Sequence, residues 1–320
     1  MYSMLPTPNQ EPLPRLGNLK VRVTASGVHL FDRVSGLNVL LDEIRVQPDS
    51  FARAPRHVSI SLTNTCDLTC PYCFVPRSPE FLGRTRLCRW LDELDRSGCL
   101  GVGFGGGEPT LHPDIEDLCR YTALHTRLGL TLTTHGHRLD SRLAEALSRN
   151  VHFLRVSMDG VGSTYEALRG RPFLDFLRQL ELIRAIAPFG INYVVNSRTF
   201  ADLDSAVSLA AERGAVEFLL LPEVPSRAGG GIDLRTLQAL KQWASSYHGE
   251  LRLTINEATA SGFPVCVPFP DENGLLAYAH IDAAGIVRRS SYNRSGVAIG
   301  TRGILEAIEI LEKRPEEVVR

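Results

Sequence analysis

From residue 57 to residue 221, short apolar runs alternate with longer segments of helical period, and this limits the fold more than any other property of the chain. The runs fall at 57–63, 102–104, 130–134, 153–157, 191–196 and 216–221. Between them, Leu87, Trp90, Leu91 and Leu94 share one helix face, as do Phe173, Phe176, Leu177, Leu180 and Ile183. Strands that alternate with helices imply a parallel sheet with right-handed crossovers, so the predicted class is α/β, a partial (β/α)6 TIM-type barrel. Such sheets carry their functional residues just after the strands. Before the barrel, 1–18 reads as a flexible lead broken by Pro6, Pro8, Pro12 and Pro14, and 19–56 as a short β-hairpin segment built on Val21, Val23, Val28 and Leu30. Beyond residue 222 the pattern loosens into a loop at 226–231, a helix at 234–247, a strand at 251–255, a hairpin at 277–288 and a closing helix at 304–311. The expected division is a lead at 1–18, a hairpin segment at 19–56, a barrel at 57–224 and a small C-terminal cap at 225–320.

Charge excludes little except extremes. The 320 residues carry 35 basic and 36 acidic side chains, so no basic excess points to nucleic acid. No apolar run reaches the roughly 18 residues of a membrane span, and the N-terminus lacks a basic-then-apolar signal pattern, so a cytoplasmic protein is expected. Seven cysteines, an odd number with three bunched, fit reduced thiols better than a disulfide framework.

The bunched three are Cys66, Cys70 and Cys73, directly after the run 57–63. Clustered thiolates at a strand end suit a soft metal or an iron–sulfur cluster, and three ligands leave one coordination position open. A zinc loop completed by a distant cysteine or histidine is the alternative. Gly106-Gly107-Glu108-Pro109 follows the second run, Thr133-Thr134-His135-Gly136 the third, and Ser157 with Asp159 the fourth. Glycines let a backbone approach a ligand, a carboxylate pairs with an ammonium group, and a serine hydroxyl can hydrogen-bond a ribose.

In these motifs, in this order, the chain resembles the radical S-adenosylmethionine (SAM) superfamily, most closely over residues 57–221. The resemblance implies one [4Fe–4S] cluster on Cys66, Cys70 and Cys73, with SAM on the open iron. It implies reductive cleavage of SAM and abstraction of a substrate hydrogen atom by a 5′-deoxyadenosyl radical. It places Tyr72 near the adenine, Gly106, Gly107 and Glu108 at the SAM ammonium, and Thr134, Ser157, Asp159 and Asn196 around the cofactor. Arg169, in an Arg-Gly pair seen in peptide-modifying relatives, is placed to meet a carboxylate. His135 stands where relatives often have asparagine.

The C-terminal region is similar to SPASM/twitch-type extensions, which bind auxiliary clusters, yet 267–320 contains no cysteine. One cluster is therefore expected, with Cys266 as a candidate hydrogen-atom donor. Implied partners are a peptide or small-molecule substrate and a reductant such as flavodoxin or ferredoxin. The favoured expectation is modification of a ribosomally made peptide. The alternatives are epimerisation or dehydrogenation of a small molecule such as an aminoglycoside or nucleoside, and a non-catalytic metal-binding regulator.

Overall fold

A computed structural model of the chain describes residues 19–225, 230–256, 259–267, 269 and 271–315. The expected lead at 1–18 and most of the loop at 226–231 lie outside the described residues.

The described residues form two sheets. The first is antiparallel, with strands β1 (Lys20–Thr24), β2 (Gly27–Phe31) and β3 (Asn38–Leu41) side by side. Its first turn closes at Gly27, where φ is +122° and a Cβ would stand 2.3 Å from the Leu41 carbonyl oxygen, so no other residue fits under the third strand. Arg22 fastens this sheet to the remainder. Its buried guanidinium donates to the carbonyls of Ala54 (2.8 Å), Gly98 (2.9 Å) and Leu276 (3.1 Å) and pairs with Glu272 at 3.1 Å. Burying such a pair costs several kcal/mol of desolvation, offset only because the remaining protons also find partners.

The second sheet has ten strands: β4 (His57–Thr63), β5 (Gly101–Gly106), β6 (Gly129–Thr134), β7 (Phe153–Ser157), β8 (Phe189–Val195), β9 (Glu217–Pro222), β10 (Arg252–Ile255), β11 (Tyr278–Ile281), β12 (Ile286–Arg288) and β13 (Val297–Ala298). Their order is β10-β9-β8-β7-β6-β5-β4-β11-β12-β13, and every pair from β10 through β11 is parallel. Strands β4 to β9 are the six expected from periodicity. The strand expected at 251–255 is β10, and the structure shows that it extends the same sheet beyond β9, while β11 extends it beyond β4. The predicted hairpin at 277–288 is present as β11 and β12, and its first strand is hydrogen-bonded to β4.

The helices are α1 (Arg84–Arg96), α2 (Ile115–His125), α3 (Ser141–Ser148), α4 (Ser163–Arg169), α5 (Phe173–Ile186), α6 (Leu203–Glu212), α7 (Leu234–Ser246), α8 (Gly274–Ala277) and α9 (Ile304–Glu312). None among the described residues is long and apolar enough to cross a membrane. Helix α9 is held by α1: the Glu93 carboxylate accepts from the Ile304 and Leu305 amides at 2.9 and 3.0 Å, placing negative charge on a helix N-terminus.

Strand side chains divide by parity. Val58, Ile60, Leu62, Val102, Phe104, Leu130, Leu132, Leu154, Val156, Ile191, Phe218 and Leu220 are at most 2% exposed and pack with the buried faces of the helices. Each contributes on the order of 2 kcal/mol by burial. Their neighbours of opposite parity, His57, Ser59, Ser61, Gly103, Thr131, Thr133, Arg155, Ser157, Asn192 and Glu217, line a cavity on the concave side. Within this lining, His280 Nδ1 meets the Ser59 hydroxyl at 2.6 Å, and Ser59 meets the Tyr278 hydroxyl at 2.5 Å.

Burial lowers the His280 imidazole to about 4, with Asp282 opposing and Arg288 adding to the effect. The unfolded chain protonates this histidine near its ordinary value of about 6.5, so between those values the unfolded state binds the extra proton and stability is lost as the pH falls. His280 alone is expected to remove about 2 kcal/mol between pH 7 and pH 5. Urea unfolding at both pH values, on the native chain and on His280→Gln, measures this; the variant should lose that share of the acid sensitivity.

Candidate functional site

The cavity has a volume of about 1220 Å³ and is lined from the C-terminal ends of the strands down into the bore. Its upper part is built where the chain leaves β4. The excursion from Asn64 to Phe81 departs and returns at one place, closed by Asn64 N to the Glu80 carbonyl (3.0 Å) and Leu82 N to the Leu62 carbonyl (2.9 Å). Cys66, Cys70 and Cys73 lie on this loop, are free thiols, and all three line the cavity. The Leu68 amide donates to Cys66 Sγ at 3.4 Å, and Arg169 Nη1 donates to Cys70 Sγ at 3.6 Å. Burial pushes the Cys66 thiol up to about 11, with Glu108 and Cys70 acting in the same direction, and burial also raises Cys73. Without a cation beside them the Cys66 and Cys73 sulfurs stay protonated; a bound metal removes that penalty.

The glycine turn after β5 is fitted against the same loop. Gly107 N donates to the Thr63 carbonyl (2.7 Å) and Glu108 N to the Thr65 carbonyl (2.8 Å). At Gly106, φ is +118° and a Cβ would lie 2.3 Å from Thr63 O; at Gly107 it would lie 2.2 Å from Thr65 O. No side chain fits between the two segments. The turn carries Glu108, 1% exposed, whose Oε1 accepts from Thr110 N (3.1 Å), Thr110 Oγ1 (2.6 Å) and Thr134 Oγ1 (2.7 Å) and whose Oε2 accepts from His135 N (3.0 Å). The carboxylate is thus aimed by β6. His135 Nε2 reaches Asp67 Oδ1 at 2.8 Å, and donor atoms of Cys66, Asp67 and His135 all lie within 4.8 Å of one another. The structure therefore brings a histidine to the cysteine loop, and a mixed S, O and N set of this kind suits zinc.

After β7, Asp159 is fully buried. Its Oδ1 accepts from Val194 N at 2.6 Å, and its Oδ2 is shared by the Tyr72 hydroxyl and Arg169 Nη2. Burial, reinforced by this carboxylate, keeps Tyr72 protonated. The side chain of Arg169 is 10% exposed and its Nε is buried with no partner among the described residues. Asp159 thus holds Tyr72 and Arg169 in place with both oxygens engaged. Ser157 also lines the cavity, with no hydrogen bond to its hydroxyl among the described residues.

Two sequence-predicted residues are not brought to the cavity. Asn196 is buried in the turn after β8, where it caps the Arg198 and Thr199 amides, and its Nδ2 donates at 2.8 Å to Glu223, which does line the cavity. Cys266 is exposed and absent from the lining among the described residues. Conversely, Arg155, Asn192, Glu217, Tyr278, His280 and Tyr292 line the cavity although no motif marks them. The available signal was parity: Arg155 stands two residues before Ser157 on the same strand face.

Comparison with known proteins agrees with this construction. Residues 60–209 match the Radical SAM superfamily. The chain carries a radical SAM domain. It is 33% identical over 171 residues to the mycofactocin maturase MftC of Mycobacterium tuberculosis, covering 51% of this chain and 43% of that protein. It is 31% identical over 195 residues to an AdoMet-dependent heme synthase of Methanosarcina barkeri, covering 58% and 55%. The chain therefore spans about half the length of these relatives. In fold it is similar to Streptococcus suis SuiB bound to S-adenosylmethionine, with a TM-score of 0.69 at 15% identity over 87% of this chain and 84% of that one. The same SuiB bound to its precursor peptide SuiA aligns with a TM-score of 0.71 at 14% identity, covering 90% and 86%.

Replacing Asp159 by Asn should leave the Arg169 charge buried without its partner and cost about 3–5 kcal/mol of stability. Urea unfolding checks this against Glu145→Gln, which breaks the exposed Arg149–Glu145 pair and should change stability by about 1 kcal/mol or less.

Proposed function

We propose that this chain is a radical SAM enzyme that holds a single [4Fe–4S] cluster on Cys66, Cys70 and Cys73 and modifies a ribosomally made peptide. The observation that carries the reading is the convergence of those three thiols, the glycine turn with Glu108, and Arg169 on one cavity. When bound, the cluster and SAM supply hydrogen-atom abstraction by a 5′-deoxyadenosyl radical. The donor set fits: three sulfurs leave an iron open, and the hydrogen bonds to Cys66 and Cys70 give the protein a hand on the cluster's potential.

Around that group the chain's residues divide the cofactor's polar parts between them. The backbone beside Gly106 and Gly107, with the Glu108 carboxylate behind it, receives the SAM ammonium. Arg169, anchored by its terminal nitrogens to Cys70 and Asp159 and with its Nε lacking a partner among the described residues, would bring its positive charge to the SAM carboxylate. Ser157 offers its free hydroxyl to the ribose, and Tyr72, fixed by Asp159, flanks the adenine. Outward burial of the apolar parity keeps the strands rigid while the bore stays open to a substrate. The peptide assignment follows the maturase name of MftC and the peptide-bound SuiB, and the absence of cysteine from 267–320 supports a single cluster.

The mixed Cys66, Asp67 and His135 set favours a second reading, a zinc-binding regulator. Anaerobic reconstitution separates the two. About four irons per chain and release of 5′-deoxyadenosine on reduction with SAM are expected, with iron falling to near zero in Cys70→Ala. Zinc without iron, or no cleavage by an iron-loaded chain under strong reduction, overturns the enzyme reading. Mass analysis of co-expressed precursor peptides tests the substrate.

A further inference from the structure

Below the candidate cofactor residues the cavity continues into the bore, where a charged row crosses four strands. The register places Arg155 on β7 opposite Gly190 on β8, Gly190 opposite Glu217 on β9, and Glu217 opposite Arg252 on β10. Gly190 has no side chain to fill the row; a Cβ there would stand 3.1 Å from the Phe153 ring and 3.2 Å from Glu217 Cβ. Arg155 therefore reaches across it. Its Nη2 lies 2.5 Å from Glu217 Oε1, and its Nη1 donates to Asn192 Oδ1 at 3.4 Å. Arg252 Nη2 takes the other oxygen, Oε2, at 2.6 Å, and Thr254 Oγ1 adds a contact to Oε1 at 3.2 Å. Burial opposes ionisation of Glu217, but the two guanidinium groups hold its carboxyl below the usual range.

Two cations on one carboxylate leave one positive charge over in the wall of the bore. Arg56, the next cation along this wall, shares Glu272 (3.2 Å) with the buried Arg22 and stacks on the Phe269 ring at 4.6 Å. Burial lowers His57 to about 4, with Arg155 and Arg56 contributing, so it is neutral and does not compete for an anion. Arg155 keeps 27% of its side chain exposed toward the cavity, and the residues beside it on β6 and β5, Thr133 and Gly105, are small. It sits two residues below Ser157, about 7 Å along the strand.

We propose that Arg155 anchors a carboxylate of the substrate, so that the substrate of this cavity is acidic at the group that enters the bore: a glutamate or aspartate side chain if the substrate is a peptide. The one charge left over in the Arg155–Glu217–Arg252 row matches a carboxylate better than a phosphate dianion, and the guanidinium fork matches its geometry. Glu217 acts as an internal stand-in that keeps the guanidinium oriented in the free protein. The inference rests on the reading of this cavity as the site of reaction.

The test uses the reconstituted protein with SAM, unreduced, and titrates N-acetylglutamate N-methylamide, its glutamine counterpart and the phosphoserine analogue by calorimetry or ligand-observed NMR. The glutamate probe should bind at least about tenfold tighter than the glutamine probe. Arg155→Gln should abolish that preference and Arg155→Lys should retain part of it, with iron content and melting temperature reporting folding. Glu217→Gln, which releases both guanidinium groups, should tighten the glutamate probe several-fold; a merely structural ion pair gives no such gain. Equal binding of the glutamate and glutamine probes to the native protein overturns the inference without any variant, and tighter binding of the phosphoserine probe overturns the carboxylate assignment. Release of 5′-deoxyadenosine is read separately. Cleavage without acid preference sinks only this inference, whereas acid preference without cleavage sinks only the reaction.

Discussion

The structure depends on one division of labour along its parallel strands. Alternate side chains are apolar and buried against helices, which supplies the stability of the sheet from its convex side. The other parity is then free of any duty to the core. It carries serine, threonine, glycine, arginine and glutamate into the bore, a lining that a fully packed barrel interior would replace with branched aliphatics. A cavity on this scale survives because its walls are held from outside.

The upper rim obeys a tighter constraint. Two segments far apart in sequence, the exit from β4 and the turn after β5, approach so closely that backbone oxygens occupy the space of the missing Cβ atoms at Gly106 and Gly107. Glu108 is then aimed by β6 through Thr134 and His135, and Arg169 is aimed through Asp159 by β8, whose Val194 amide holds the carboxylate. Glu108 and Arg169 are thus each oriented through a neighbouring strand rather than by their own loop. Rigid elements placing polar groups around a void is the arrangement that preorganised sites require.

Much of this was legible in the sequence. The barrel strands β4 to β9 show as apolar runs because the buried parity is nearly unbroken, and the cysteine, glycine and serine motifs stand at their ends, where parallel sheets place function. Residues 163–169 form α4, which periodicity did not reveal because seven residues make barely two turns. Strands β10 and β11 were legible as a strand and half of a hairpin, but their parallel pairing with β9 and β4 was not, because pairing across so many residues leaves no local pattern. Asn196 reads as a bore residue by its place at a strand end, yet its amide is consumed by the following turn and by Glu223. Arg155 and Glu217 were hidden because a charge within a strand carries no meaning until register shows which charges meet; Gly190, unremarkable in sequence, is what lets them meet.

The pairing of β11 with β4 has a consequence for how the chain is made. Strand β4 binds β5 on one side almost at once, but its other edge waits for Tyr278–Ile281, roughly 215 residues later. At a synthesis rate of about 5–20 residues per second, that edge of unpaired amides and carbonyls stays open for about 10–40 seconds on every ribosome. It is flanked by alternating apolar residues, a pattern prone to pairing with another nascent chain. Whatever shields β4 during translation therefore guards against such pairing, and a chain cut short before residue 278 keeps that edge open.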